Sequence, residues 1–527
     1  MNKYLLAITK GLFESASPRI FLVICATWLC ITAGLRPLTL PDEGRYVGVA
    51  WEMLSSGNWL VPTLDGMPFF HKPPLFYWLT ALGIKLFGVN EWGARIASIL
   101  ASTLVSGALY FFVRRHVDAR MAKLSVAILV TQPFFYGGAQ FANMDMLVAS
   151  LISVTILCGA HAVLGLERGL PYKSALALAY VFAALGVLAK GLIGLVLPGA
   201  ILLGWLVLGR RFRLIPSLLP LHLILLFMAL VTPWFWWTEK SYPGFWNYFF
   251  VYHHFQRFSQ TGFNNQQPFW FYLPVLMLAT LPWSLWIYQV FSRTLQKKFV
   301  PFDIRSLMLI WVLGILVFFS LPSSKLVGYI LPVLPPFAFL IAETITIWLK
   351  ETKAENSLAY LGISLVGASV ICLGVVYFEF HNLKNSRNLS NQIRSQFQAE
   401  DQIAMIEGYQ YDMPFYLKAK KNPWVISNWN DQNIKQRDNW RKELYDAGQF
   451  DPQIMRENLI LPDKLASRVC KYSGVTLWIW GRPEDALQFS FLEASIPIFS
   501  NGKQNLWRLD QAFRSRLKVC AKMSSSD

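Results

Sequence analysis

The sequence predicts a polytopic α-helical membrane protein that ends in a soluble α/β domain, and three observations carry that prediction. Of its 527 residues, 54% are hydrophobic and only 15% charged, whereas a typical soluble domain carries about 25% charged residues. Apolar runs that reach the roughly 18 residues of a spanning helix recur through the first 380 positions and stop there. Basic residues gather in short loops between those runs, at Arg114-Arg115, Arg210-Arg211-Arg213, Arg293-Lys297-Lys298 and Lys350-Lys353, as cytoplasm-facing loops do. That bias accounts for most of the formal charge of +17 and argues against nucleic acid, whose readers set basic residues among exposed aromatics on one soluble face.

The first span is expected over 18–36. It follows Lys3, Lys10 and Arg19 and lacks a small-residue cleavage site, so it reads as an uncleaved anchor with the N-terminus in the cytoplasm. Further spans are expected at 92–113, 120–137, 145–165, 173–190, 191–208, 215–237, 268–291, 305–321, 326–347 and 358–378. Eleven spans, or 13 with a further hairpin, put the C-terminus outside.

This orientation exposes two long loops, 37–91 and 238–267, together with everything from 381 to 527. In the first loop, Arg45 to Leu54 and Leu75 to Phe87 are amphipathic and suit helices lying in the membrane interface. The tail alternates short apolar strands at 403–406, 424–426 and 475–479 with polar helical patterns such as Lys435 to Ala447, which reads as one small α/β domain. It holds no strong catalytic motif, so a lid, partner or stability role is expected of it. Cys470 and Cys520 lie in this tail, where the compartment permits a disulfide.

The candidate functional residues lie in the outer loops. Pro41-Asp42-Glu43-Gly44-Arg45-Tyr46 sets two acids and a base directly after the first span, as a helix N-terminus or as a site would. Lys72 stands between aromatics and Pro73-Pro74, which hold the residue before them extended and aim its ammonium from a rigid turn. Arg45, Arg257 and Lys325 are external cations beside aromatics, against the positive-inside trend, and favour an anionic ligand on that side. Asp145 opens a span at its outer end, as a cap or as a site residue. His71, His253 and His254 come from two loops without diagnostic ligand spacing, so spacing alone argues against a metal.

Taken as a set, Pro41 to Tyr46, His71-Lys72-Pro73-Pro74-Leu75, Ala189-Lys190-Gly191, His254-Phe255-Gln256-Arg257-Phe258, Pro268 to Pro274 and Lys325 to Pro332 resemble the aminoarabinose-transferase branch of bacterial glycosyltransferases, related to protein O-mannosyltransferases. The resemblance covers most of 37–345. It implies a GT-C type fold over 1–380 and transfer of a sugar, 4-amino-4-deoxy-L-arabinose or a related amino sugar, from undecaprenyl phosphate to lipid A at the periplasmic face of the inner membrane.

The resemblance also implies roles. Asp42 and Asp145 match acids needed for transfer, with Glu43 beside them. Arg45, Tyr46, Lys72, Arg257, Lys325 and Tyr329 would surround the donor phosphate or its sugar. His254 matches a position that can bind zinc, and His71 stands where the family commonly has glutamate, a substitution that keeps a ligand but removes its charge. A sibling transferase acting on a protein hydroxyl or another glycan would use the same site. A transporter would instead show inverted repeats and ionisable residues at span centres, and a non-catalytic scaffold would bind donor without releasing lipid phosphate.

Overall fold

A computed structural model of the chain describes residues 9, 11–256, 265–289, 299–352, 355–382, 384–436, 439–472, 476–493 and 495–515. Among these, seven helices are long and apolar enough to cross a membrane: Glu91–His116, Met144–Glu167, Lys173–Lys190, Leu221–Ser241, Phe302–Ser320, Val327–Glu351 and Leu358–Phe378. Each falls on an expected span. Their ends follow local chemistry. The side chains of Asn90 and Asn143 cap the first two N-termini, Arg114, Arg115 and His116 occupy the last turn of the first helix, and Gly191, with φ of 84°, ends Lys173–Lys190.

The other four expected spans are shorter or broken, and proline accounts for two of the breaks. The 120–137 segment divides into Ala119–Val130 and Pro133–Ala139, with Pro133 at the first position of the second helix. The 268–291 segment bends by 106° between Phe269–Ala279 and Trp283–Gln289, at Leu281-Pro282. Counted as one span, that pair makes eight. Pro18–Cys30 and Ile193–Leu208 are apolar but shorter.

The first loop folds as its pattern requires. The helix Asp42–Ser56 leads to a hairpin, β1 (Thr63–Leu64) paired antiparallel with β2 (Met67–Pro68), and then to the helix Leu75–Phe87, which starts directly after Pro74. Glu52 pins the hairpin to the first of these helices, accepting from the Thr63 hydroxyl at 2.7 Å and from the backbone N–H groups of Asp65 at 2.7 Å and Gly66 at 2.9 Å. Burial pushes its carboxyl up to about 7, against those three hydrogen bonds.

The C-terminal domain holds a six-stranded sheet in the order β5-β4-β3-β6-β8-β7. β3 (Gln402–Ile406), β4 (Trp424–Ile426), β5 (Leu459–Ile460) and β6 (Thr476–Gly481) run parallel, while β7 (Phe499–Ser500) and β8 (Asn505–Asp510) add an antiparallel edge. All residues of β3, β4 and β6 are buried, as strands covered on both faces must be. The tail helix expected over 435–447 is a 3-10 turn, Gln432–Gln436, followed by the helix Trp440–Gly448. Cys470 is disulfide-bonded, and its expected partner Cys520 lies outside the described residues.

The two regions share one hydrophobic core, which runs from Phe21 and Tyr110 through Val47 and Phe76 to Tyr411, Phe415 and Trp478. Polar contacts fix the register between them. The Trp51 indole donates to the Ala419 carbonyl at 2.8 Å, the Leu38 N–H donates to the Tyr416 oxygen at 2.8 Å, and the Tyr416 hydroxyl donates to Glu91 at 3.1 Å. The approach is close enough that a Cβ on Gly48 would sit 2.9 Å from the Tyr411 carbonyl oxygen. Glycine there lets the first-loop helix press on the C-terminal domain.

Candidate functional site

A cavity of about 1030 Å³ opens where the helix bundle, the first loop and the C-terminal domain meet. Among the described residues, five parts of the chain supply its charged residues. The helix Asp42–Ser56 contributes Asp42 and Arg45, the turn before Pro73 contributes His71 and Lys72, two membrane helices contribute Asp145 and Lys190, and the helix Trp440–Gly448 contributes Lys442, Glu443 and Asp446. Tyr46 and Tyr329 complete the aromatic lining.

Two cation–carboxylate arrangements organise this space. In the first, Arg45 donates to Asp42 at 2.7 Å and forms an ion pair with Glu443, while its guanidinium lies 5.0 Å from the centre of the Tyr46 ring. The Tyr411 hydroxyl donates to the other Glu443 oxygen at 2.6 Å. Arg45 and Glu443 are about 85% buried, but the Asp42 side chain is 50% exposed and free to meet a ligand with its second oxygen. In the second arrangement, Lys190 forms an ion pair with Asp145, and its ammonium stands 4.6 Å over the Tyr329 ring. Cation–π contact and ion pairing both fix the Lys190 ammonium in position where the bundle meets the loops. A Cβ on Gly328 would come within 2.5 Å of Asp145 Oδ2, so only glycine lets Tyr329 approach this pair.

The structure separates the sequence candidates. Asp42, Arg45, Tyr46, His71, Lys72, Asp145 and Tyr329 converge on the cavity. The alternative of Asp145 as a cap is resolved by its neighbour, since the Asn143 side chain takes that position and accepts from the Asp145 N–H at 3.0 Å. The imidazole of His71 lies 4.3 Å from the Phe69 ring and 6.1 Å from the Tyr248 ring, measured between ring centres.

Two expectations require correction. Glu43 does not line the cavity. Its carboxylate is fully buried, paired with Arg36 and with Arg95 at 2.8 Å, and it also accepts from the N–H groups of Thr39 at 3.0 Å and Ala142 at 2.7 Å. Burial pushes this carboxyl up, but the two guanidiniums outweigh burial and hold it at about 2. Glu43 therefore anchors the first loop to the bundle. Lys325 also turns away from the cavity, donating to the backbone carbonyls of Gln267 at 2.9 Å and Pro322, and so ties one loop to another.

Arg257 lies outside the described residues, as does the side chain of His254. The expected zinc ligands are thus represented by His71 alone, and the described residues contain no group of three His, Cys, Asp or Glu side chains able to hold a metal.

Sequence reasoning missed Lys190 as a site residue, together with Lys442, Glu443 and Asp446. Lys190 carried a signal, being a lone cation in the last turn of an apolar helix. The other three read as the polar face of an amphipathic helix, and only the tertiary fold brings that face to the cavity.

Residues 71–237 match the family described as dolichyl-phosphate-mannose-protein mannosyltransferase. Among relatives, the chain is 33% identical over 353 residues to an undecaprenyl phosphate-alpha-4-amino-4-deoxy-L-arabinose arabinosyl transferase of Pseudomonas savastanoi. It is 34% identical over 360 residues to the protein of that name in Erwinia tasmaniensis. Each match spans 67% of this chain and 64% of the relative's length. Among solved structures, ArnT from Cupriavidus metallidurans bound to undecaprenyl phosphate has the same fold, with a TM-score of 0.78 at 21% identity over 93% of this chain and 97% of that one. The archaeal oligosaccharyltransferase AglB from Archaeoglobus fulgidus is more distant, with a TM-score of 0.54 at 12% identity over 91% and 69% of the two chains. By sequence and by fold, the chain belongs to the aminoarabinose-transferase-like family of polytopic GT-C membrane proteins, related to the protein O-mannosyltransferases.

Proposed function

We propose that this protein is a glycosyltransferase that moves 4-amino-4-deoxy-L-arabinose, or a related amino sugar, from undecaprenyl phosphate to lipid A. In this reading it resides in a bacterial inner membrane with its N-terminus in the cytoplasm and its C-terminal domain in the periplasm, and its partners are the lipid-linked donor, the acceptor and the bilayer. The observation that carries the reading is the mixed charge of the main cavity. Among the described residues, Arg45, Lys72, Lys190 and Lys442 face Asp42, Asp145, Glu443 and Asp446, four cations against four acids. A donor with an anionic phosphodiester and an ammonium-bearing sugar needs both signs in one pocket.

The chemistry is a displacement at the anomeric carbon. The bond from that carbon to the lipid phosphate oxygen breaks, its electron pair leaves with the phosphate, and a bond forms to an acceptor oxygen. Lys72, Arg45 and Lys190 neutralise the charge that grows on the leaving phosphate, an effect worth ~3 kcal/mol for one well-placed donor in a dry site. Asp42 orients the acceptor through its exposed oxygen. It also removes the proton when the nucleophile is a hydroxyl, a step that an ionised lipid A phosphate does not need. His71 and His254 would be the residues to hold a zinc ion, which would supply a further positive charge near the leaving phosphate.

A second acceptor class is favoured by the match of residues 71–237 to the protein mannosyltransferase family, namely a protein or glycan hydroxyl. The test for both is a reconstituted assay with a panel of undecaprenyl-phosphate sugars, lipid A and hydroxyl acceptors, read by mass spectrometry. Transfer from the aminoarabinose donor to lipid A supports the first reading, and transfer to a hydroxyl acceptor alone replaces it with the second. Folded protein that moves no sugar to any acceptor turns attention to transport or scaffolding.

A further inference from the structure

A second cavity, of about 480 Å³, lies in the C-terminal domain. Gln402 and Trp424 reach it from the first residues of β3 and β4, Lys420 and Lys421 from the loop between those strands, and Arg468 and Lys471 from the last turn of the helix Pro462–Lys471. The first loop braces it from behind. Asn458, which also lines it, donates to the Asp65 carbonyl at 2.8 Å, and a Cβ on Gly66 would collide with the Asn422 amide.

The charge here is mainly positive. Among the described residues, Lys420, Lys421, Arg468 and Lys471 line the cavity and Glu457 is the one acid, which leaves a formal +3. Lys420 also reaches Glu400 at 3.4 Å, but both side chains are more than 60% exposed, where such a pair is weak. Aromatic rings hold three cationic heads in place. Arg468 lies 5.2 Å from the Trp424 ring centre, while Lys421 and Arg514 lie 5.8 and 4.9 Å from that of Tyr472. The Tyr472 hydroxyl is buried and has no hydrogen-bond partner among the described residues. Such a donor is costly to leave buried unless something satisfies it.

A helix C-terminus accounts for Arg468 and Lys471 by its dipole. It does not account for two lysines that arrive from another loop, nor for the aromatic and amide side chains between them. Cations and a hydroxyl suit a phosphate, while amides suit the hydroxyls of a sugar ring. We propose that this cavity is a binding site for a phosphorylated sugar, separate from the main cavity and independent of the transfer reaction.

The test uses the full chain in nanodiscs of neutral lipid, titrated calorimetrically with glucosamine 1-phosphate, glucosamine and inorganic phosphate. The expected result is saturable binding of glucosamine 1-phosphate that is tighter than either fragment and weakens with salt. The double variant R468E/K471E, changed at two exposed positions, should lose at least about tenfold in affinity, the scale of one charge-assisted hydrogen bond. Asp145→Asn, which alters the main cavity, should leave that binding unchanged. The source of the sugar is then read by competition from a phosphorylated-glucosamine lipid in the nanodisc. Competition assigns the site to a lipid headgroup and its absence to a soluble sugar phosphate, each consistent with the site. No binding of glucosamine 1-phosphate, equal binding of inorganic phosphate, or loss in Asp145→Asn but not in R468E/K471E would each overturn the proposal.

Discussion

Glu443 and Arg45 stand 398 positions apart in the chain and form an ion pair at the main cavity, each about 85% buried. Through Arg45 the C-terminal domain reaches Asp42, and through Tyr411 the same carboxylate is tied back to its own domain. The C-terminal domain is therefore a wall of the cavity and holds its cations in register.

Replacing Glu443 by alanine leaves a largely buried guanidinium with the half-exposed Asp42 as its remaining carboxylate, and leaves the Tyr411 hydroxyl without its acceptor. Removing one partner of such a pair costs about 3 kcal/mol or more. We expect Glu443→Ala to lower sugar transfer by about tenfold or more while the protein still inserts and purifies. Tyr411→Phe should lose less, because Arg45 keeps both its carboxylates. Transfer assays on both variants, normalised to folded protein, check the order, and equal activity of Glu443→Ala and wild type would refute it.

Much of this was legible in the sequence. The long spans and the strands expected at 403–406, 424–426 and 475–479 follow from hydropathy and period, while the grouping of Asp42, Arg45, Lys72 and Asp145 follows from the family resemblance. Two kinds of feature were not. Glu43 and Lys325 have the composition of site residues, but a sequence does not show whether a charge faces a cavity or a buried partner. Arg36 and Arg95, 59 positions apart, claim Glu43 for the bundle. Asp446 and Lys442 are ordinary residues of an amphipathic helix, and only docking between domains aims them at the cavity.

Lys190 and Asp145 should behave as one unit. Each neutralises the other inside the bundle, so either single change leaves an uncompensated charge beside Tyr329. Lys190→Ala and Asp145→Ala should each reduce transfer by about a hundredfold, on the scale of losing one electrostatic stabiliser in a closed site. The double variant should be little worse than either single one. A double-mutant cycle in turnover measures the coupling, and strict additivity would show that the two residues act separately.

Glu43 should matter for stability before it matters for chemistry. Glu43→Gln leaves Arg36 and Arg95 buried without their carboxylate, a loss of about 3–5 kcal/mol for a fully buried pair. The expected outcome is a marked fall in thermal midpoint in detergent. The fraction that remains folded should retain most of its turnover per molecule. A variant of unchanged midpoint but no activity would return Glu43 to the catalytic set.

The packing of the first loop on the C-terminal domain should tighten as pH falls from 7.5 to 5. Burial pushes Glu52 up to about 7, against its three hydrogen bonds, and Asp412 up to about 6, against those from Ser386. In the unfolded chain both carboxyls ionise near their ordinary values of 4.5 and 3.8. Between those values and the raised ones the folded state therefore binds more protons than the unfolded state, so stability falls as pH rises through the window and levels off above about 7. For Glu52 alone the span corresponds to ~3 kcal/mol. Glu43 has the opposite sign, but its contribution is lost only as pH falls from 4.5 towards 2, below this range. Differential scanning fluorimetry across pH 5 to 7.5 should show the midpoint falling with pH, and Glu52→Gln should flatten the slope by removing the proton that titrates. A slope unchanged by Glu52→Gln would assign the effect to other groups.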